Sequence, residues 1–339
     1  MIDLRSDTIA KPTPEMLQAM MQAEVGDDVF EEDPTVIQLE EKAATLLGME
    51  CGLFCPSGTM TNQIALRILT QPQDEVICDK RSHIYNYEGG GIAYNSLISV
   101  RLLDGERGIL TPDQIVENIN IDDIHFPQTS LVSLENTVNK GGGSYYTLQQ
   151  IAAINKTCQE HQLKMHLDGA RLFNALVETE DRPSDYGQYF DTISICLSKG
   201  LGAPVGSLLL SSAVLIKRAK RVRKVFGGGM RQSGYLAAAG IYALEHHIDR
   251  LRDDHRRAKD LEKILEGLPY VSSVVPVNTN IVIFDLSSSI TSLEFLGKLE
   301  QAGIKAVSFG KHTVRFVTHL EFDDHQMEQC EDIFKKLIL

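Results

Sequence analysis

No run of apolar residues in this 339-residue chain approaches the roughly 20 needed to cross a bilayer, which argues against a membrane-spanning helix. The opening residues, MIDLRSDTIAKP, lack the apolar stretch of a signal peptide, so the protein is expected in the cytoplasm. The six cysteines include a CxxxC at 51–55 but no CxxC pair or nearby histidine to complete a zinc site, and reduced, packed thiols are expected with no metal. Positive charge is in deficit: 33 Lys and Arg against 46 Asp and Glu give a net charge of −13, the wrong sign for gripping nucleic-acid phosphates. Long Pro/Ser tracts and fixed-period repeats are missing, which excludes disordered and solenoid classes. No GxGxxG follows a strand and opens a helix, so a nicotinamide oxidoreductase has little support.

What is present is ordinary for a globular enzyme-sized chain: 43% hydrophobic and 23% charged residues, enough for one large domain and a smaller one. Residues 13–23 and 35–47 carry apolar positions at spacings of three and four, and Thr35 reads as a helix cap. From about residue 52 onward, short β-rich runs (GLFC, EVICD, LVSLEN, KMHLDG, DTISICLS) alternate with helical stretches such as 147–162 and 234–247. That alternation predicts an α/β fold, a mostly parallel sheet covered by helices. A charged helix over 250–267 then leads into the order β, β, α, β, β, α, an α+β unit. The expected domains are residues 1–247, with the amino-terminal segment included, and residues 248–339.

In an open α/β sheet, ligands sit beyond the carboxyl ends of the strands. Glu135-Asn136, Asp168 and Ser198-Lys199 punctuate apolar strands at that end. A lysine paired with an acid across a crevice suits pyridoxal phosphate, which needs an amine for a Schiff base and a carboxylate against its ring nitrogen. A plain Asp–Lys ion pair accounts for the same two residues. Ser57-Gly58-Thr59 opens a helix and offers free amides to an anion, although the same triplet is also a common cap. His83, in HIYNYEGGG, reads as a ring stacked on a cofactor or as a satisfied loop histidine. Lys224 and Arg231 bracket three glycines in KVFGGGMRQSG, an arrangement suited to a phosphate. The basic run IKRAKRVRKV before it reads first as a solvated helix face.

Seven segments in one order carry a family resemblance: DLRSDT (3–8), VGDDVFEEDPT (25–35), PSGTMTNQ (56–63), SLENT (133–137), HLDGARLFNA (166–175), SICLSKGLGAPVGS (194–207) and FGGGMRQSG (226–234). The chain resembles the low-specificity L-threonine aldolases, pyridoxal-phosphate enzymes of the aspartate-aminotransferase fold type (fold type I). The resemblance implies cleavage of L-threonine, L-allo-threonine and related β-hydroxy amino acids to glycine and an aldehyde. It makes Lys199 the Schiff-base lysine, Asp168 the partner of the ring nitrogen, His83 the stacking ring, and Ser57, Gly58 and Thr59 the phosphate cradle. It gives the substrate carboxylate to Ser6, Arg171 and Arg315, with Arg171 thereby also beside the cofactor. It brings Lys224 and Arg231 from a neighbouring subunit, which implies a homo-oligomer with shared active sites, expected as a tetramer built as a dimer of dimers. The base that takes the β-hydroxyl proton is left among His83, His125 and a water. Another pyridoxal-phosphate lyase, eliminating at Cβ, is the nearest rival, and a non-catalytic scaffold of the same fold is a third reading. Two departures stand out: VNKGGGSYYT (138–147) has no proline, and Phe30 stands where relatives often have tyrosine.

Overall fold

The computed structural model describes residues 1–337. The apolar runs become strands, and their order in space decides where the polar residues at their ends meet. The strands are β1 (Ile2–Asp3), β2 (Cys51–Cys55), β3 (Asp74–Asp79), β4 (Ser99–Leu103), β5 (Gln128–Glu135), β6 (Lys164–Gly169), β7 (Thr192–Cys196), β8 (Ser207–Ser211), β9 (Val271–Val274), β10 (Ile281–Leu286), β11 (Ile304–Lys305), β12 (Val307–Ser308) and β13 (Thr313–Val317). Seven of them form one sheet in the order β2-β8-β7-β6-β5-β3-β4. β8 runs against both of its neighbours, and the remaining pairs are parallel.

Strands β7 and β8 are buried along their whole length, as expected for a sheet covered on both faces. The two-residue alternation of strand side chains divides the apolar set between the faces. Phe54, Leu208 and Leu210 enter the main core, which the Pro34–Leu46 and Gly234–His246 helices help to close. Leu53, Cys55 and Leu209 face the other way, packing with Ile64 and Ile68 of the Gly58–Leu69 helix and with Ile216 and Ala219 of the Ala213–Val225 helix. The basic run is thus a helix with a narrow apolar stripe. All six cysteines are free thiols, five of them buried.

Asp33, two residues earlier than Thr35, caps the second helix: its carboxylate accepts the Val36 N–H at 3.1 Å, and Pro34 fills the first helical position, where its missing donor costs nothing. The Thr35 hydroxyl instead donates to the Glu24 carbonyl at 2.6 Å.

The second sheet, β12-β13-β10-β9, is antiparallel and packs on helices Leu251–Glu266, Ser292–Gln301 and Asp324–Lys336. Phe284, Phe295, Phe316 and Phe334 fill its core, with the Phe284–Phe316 ring centroids 4.9 Å apart. Each such fully buried ring contributes about 1.5–3 kcal/mol. The amino-terminal segment corrects the expected division. β1 pairs in parallel with β11, and Ile2 and Leu4 lie in this second core rather than the first. The reason is burial: their apolar side chains find the exposed edge at Ile304, while the Leu4 carbonyl accepts the Val317 N–H at 2.9 Å. The segment therefore crosses from the small unit to the site, and Ser6 and Asp7 stand at that crossing.

Candidate active site

Three strands deliver the chemistry. In register, Glu135 at the end of β5 lies beside Asp168 at the end of β6, and Asp168 lies beside Ser194 of β7. Because all three strands are parallel, Lys199, three residues past β7, emerges at the same end.

The Gly58–Leu69 helix begins at this edge. Ser57 is extended and its hydroxyl accepts the Met60 N–H at 3.2 Å, so it acts as the cap. The neighbouring amides and the helix dipole favour an anion there. A side chain at position 58 would come within 2.5 Å of the Cys196 sulfur, so the close approach of β7 to the helix requires glycine. Thr61 fastens the helix to β7 through a 2.6 Å bond between its hydroxyl and that of Ser194.

One turn on, Asn62 organises the acids. Its Nδ2 donates to Asp168 at 2.9 Å and to Glu88 at 2.8 Å, while its Oδ1 faces His166 Nε2 at 3.1 Å. His166 is fully buried and pushed down to about 4 by that burial, so it is neutral and donates from Nε2 to the amide. Asp168 takes a further bond from the Ala170 N–H at 3.2 Å. His83 sits across from these carboxylates. Its Nδ1 is 2.9 Å from Glu88, and its backbone N–H donates to Glu135 at 2.7 Å. Burial pulls the His83 imidazolium down, but the Glu88 bond and the charges of Asp168 and Glu88 outweigh it, and the net shift is upward. Glu135 is pushed up to about 7, first by burial and then by the charge of Asp168.

The loop that carries Lys199 is clamped from outside. His247 Nδ1 donates to the Leu201 carbonyl at 2.7 Å and Arg250 to the Gly200 carbonyl at 3.2 Å, and Gly202 takes the left-handed conformation that closes the turn. The Lys199 side chain is half-buried and makes no hydrogen bond among the described residues, and its charge acts on both Asp7 and His83.

Arg171 and Arg315 flank the same space from different units. The Arg171 guanidinium is buried and grips Asp7 with two 2.7 Å bonds. Burial alone would raise the Asp7 carboxyl, but Arg171 overrides it and holds it well below the usual carboxylate range, with Asn280 donating at 3.2 Å. Among the described residues Arg315 has only neutral acceptors, Asn139 Oδ1 and the Arg5 carbonyl, both at 2.9 Å, and its buried Nε finds no partner there. Burial, then the nearby charge of Arg171, lowers it to about 10. The Ser6 hydroxyl lies next in the chain to Asp7 and accepts from Thr8.

Not every expected residue joins this cluster. His125 lies in an exposed turn before β5, bonded to Asp123, at the opposite end of the strand from Glu135. Eight strand residues, on the order of 25 Å, separate it from the site in its own chain. The expectation that His125 belongs to the catalytic set is therefore not met within one subunit; a histidine in an apolar-flanked loop carries no signal of which sheet end it serves. Lys224 rims a cavity of about 780 Å³ between the Pro34–Leu46 and Ala213–Val225 helices, and Arg231 pairs with Asp27 at 2.9 Å. The buried cation of that region is Arg223, which pairs with Asp28 and donates to the Phe54 carbonyl. His83, Glu88 and Asp168 offer ligand atoms within 4.8 Å of one another. The Asn62 amide protons already occupy the space between the two carboxylates, a hydrogen-bonding arrangement rather than a ligand set.

The family model described as beta-eliminating lyase matches residues 3–289. The chain belongs to the beta-eliminating lyase family. Among its relatives, the low specificity L-threonine aldolase of Escherichia coli (strain K12) is 41% identical over 97% of this chain and 97% of its own length. A probable low-specificity L-threonine aldolase 2 of Arabidopsis thaliana is 37% identical over 99% and 97%. The solved structure of a Leishmania major threonine aldolase superposes over the whole of both chains with a TM-score of 0.86 at 22% identity, which speaks to the fold.

The residues fit the family's cofactor on the structure's own terms. A buried carboxylate fixed by two donors, a free lysine amine at the next strand end, a capped helix start where only glycine fits, and an unpartnered buried Arg315 Nε are the groups that pyridoxal phosphate and an amino-acid carboxylate would engage. Asp7, Asn62, Glu88 and Glu135 were not assigned roles from sequence. Each stands inside a segment that carried the resemblance or a quoted motif, and a polar residue beside an assigned one was the available signal.

Proposed function

We propose that this protein is a pyridoxal-phosphate-dependent aldehyde-lyase that cleaves L-threonine, L-allo-threonine and related β-hydroxy-α-amino acids to glycine and an aldehyde, acetaldehyde in the case of threonine. The observation that carries the reading is one sheet edge that brings Asp168 and Lys199 together, flanked by Arg171 from the same unit and Arg315 from the small one, in a chain with relatives named for that activity.

Lys199 would tether the cofactor, Asp168 would face its ring nitrogen, and Ser57, Gly58 and Thr59 would hold its phosphate. When bound, pyridoxal phosphate supplies an electron sink for the pair released from the Cα–Cβ bond. Arg171, Arg315 and Ser6 bind the substrate carboxylate and so select which bond at Cα is set to break, separating cleavage from loss of Cα–H or of the carboxylate. A base takes the β-hydroxyl proton as the aldehyde leaves, and a proton returned at Cα completes glycine. His83 stands beside the acids for that task; His125 serves only if another subunit supplies it, and water is the third candidate.

The reading extends to a homo-oligomer, a tetramer of two dimers with Lys224 and Arg231 offered to a neighbour's phosphate. Lys224 and Arg231 are both exposed, and Val225 beside Lys224 is an exposed apolar residue, which supports it. Six free thiols are in keeping with the cytoplasm. We keep the division near residue 248, apart from residues 2–4.

The family description favours one second reading, elimination at Cβ to a keto acid and ammonia. Incubation with threonine and with allo-threonine decides between them: glycine and acetaldehyde support the aldolase, and 2-oxobutyrate overturns it. Borohydride reduction and peptide mapping should find the pyridoxyl group on Lys199.

A further inference from the structure

Glu88 lies in the HIYNYEGGG segment and is outside the set of residues that would touch cofactor or substrate. Its carboxylate is buried and anchored by two side-chain amides. Oε1 accepts Asn62 Nδ2 at 2.8 Å and Oε2 accepts Gln63 Nε2 at 2.6 Å. Turning Asn62 over would set its oxygen against both the Glu88 and Asp168 carboxylates, and turning Gln63 over would set its oxygen against Glu88, so in each case the NH₂ end is directed at Glu88, with His166 Nε2 and Asn95 Nδ2 beside the amide oxygens at 3.1 and 3.0 Å. Gly91 leaves room for Gln63 to reach this position: a side chain there would come within 2.5 Å of the Gln63 Cδ. Two donated bonds favour the ionised form of Glu88, and an ionised carboxylate can only accept from His83 Nδ1, 2.9 Å away. With Glu88 ionised, the proton between them is carried by the ring nitrogen.

The other ring nitrogen is treated differently. His83 Nε2 makes no hydrogen bond among the described residues, and the side chain keeps about a third of its surface open, at 31%. The backbone is fixed independently, by the Glu135 bond to the His83 N–H.

We propose that Glu88 is a positioning residue that holds the His83 proton on Nδ1, leaving Nε2 as the one atom through which this imidazole exchanges a proton with substrate. The proposal rests on the aldolase reading for its purpose, but not for its geometry. In the cleavage direction the β-hydroxyl O–H bond breaks, an N–H bond forms at Nε2, and the oxygen's electron pair becomes the second C–O bond of the aldehyde. The Cα–Cβ pair passes to the cofactor sink. The charged or titratable groups that act on His83 are Glu88 and Asp168, which favour its proton, and Lys199, which opposes it; Glu135 bonds its backbone and Tyr87 packs on its ring at 5.5 Å. Asn62 ties Glu88 and Asp168 to one amide, so the carboxylate under the imidazole and the carboxylate for the ring nitrogen cannot move apart independently.

Histidine-labelled ¹⁵N NMR of the full-length, cofactor-free protein tests this, with His83→Asn identifying the resonance. The expected result is a neutral form carrying its proton on Nδ1. In Glu88→Gln the midpoint should fall by about one to three pH units, since an opposite charge at this range is removed while burial and Lys199 remain. Glu88→Asp should keep part of the effect, and it serves as the second variant if Glu88→Gln does not fold. A neutral form protonated on Nε2 in the unsubstituted protein, or an unchanged midpoint in Glu88→Gln, overturns the proposal. Failure of the aldolase reading would show instead as missing glycine in the product assay, with the NMR outcome untouched.

Discussion

Arg171 and Arg315 offer a comparison between the two units of the molecule. The large sheet contributes Arg171, whose charge is cancelled by a bidentate Asp7 in a fully buried pair. The small sheet contributes Arg315, stacked 4.8 Å from the Phe309 ring and given only neutral acceptors. One guanidinium is locked by an anion, and the other keeps its charge uncancelled by any direct partner among the described residues, as the proposed hold on a substrate carboxylate requires. A buried ion pair adds little net stability over apolar residues, but breaking one leaves a stranded charge. Arg171 therefore reads as a rigid wall of the site, and Arg315, with Lys199, as a source of positive charge that no direct partner among the described residues cancels. Because Asp7 arrives on a segment anchored in the small unit by Ile2 and Leu4, the locked pair also ties the two units together.

The largest expected effect breaks the locked side. Asp7→Ala should destabilise the fold by about 3–5 kcal/mol, measured by chemical denaturation, because Arg171 is left buried and unpaired. Near-native stability in that variant would mean that the two arginines are not held differently after all. Next comes the open side. Arg315→Leu should lower kcat/KM on threonine by about a hundredfold, the loss of some 3 kcal/mol of charge-assisted bonding, with little change in stability. Arg315→Lys should recover little, since an ammonium cannot reproduce the planar fork. A stability loss as large as that of Asp7→Ala would erase the contrast.

The smallest effect concerns Glu135, which links the sides by accepting the His83 and Asn139 N–H groups while Asn139 accepts from Arg315. Its folded-state value of about 7 lies above the ordinary 4.5, so the folded protein keeps a proton that the unfolded chain releases. Stability should fall as pH rises through that window and level off above it. Glu135→Gln should flatten part of this slope in denaturation measured across the window. The remainder belongs to groups such as Glu40, raised by burial to about 7. An unchanged slope would show that Glu135 does not titrate there.

Much of the fold was legible because its signals are local. Strand and helix periods, the Ser57 cap and the strand-end positions of Glu135, Asp168 and Lys199 depend on neighbours a few residues away. The parts that escaped reading are long-range. Asp7 and Arg171 are 164 residues apart and Asn62 and Asp168 are 106 apart, and no spacing rule connects them. Asp33 displaced Thr35 as cap because Pro34 fits best at the first helical position, a local rule that the apolar spacing alone overlooked.

By itself, then, the amino-acid order determined the alternating α/β pattern, the acidic and reduced character of the chain, and the residue types able to hold an aldehyde cofactor and a carboxylate. Tertiary structure alone decided which acid meets which cation, that His83 rests on Glu88, that His125 stands at the far end of β5, and that the first strand completes the small unit. The reason is that periodicity fixes where a side chain points along its own element, whereas partnership across the site depends on the order in which strands are laid side by side, and burial energy settles that order only once the whole sheet is assembled.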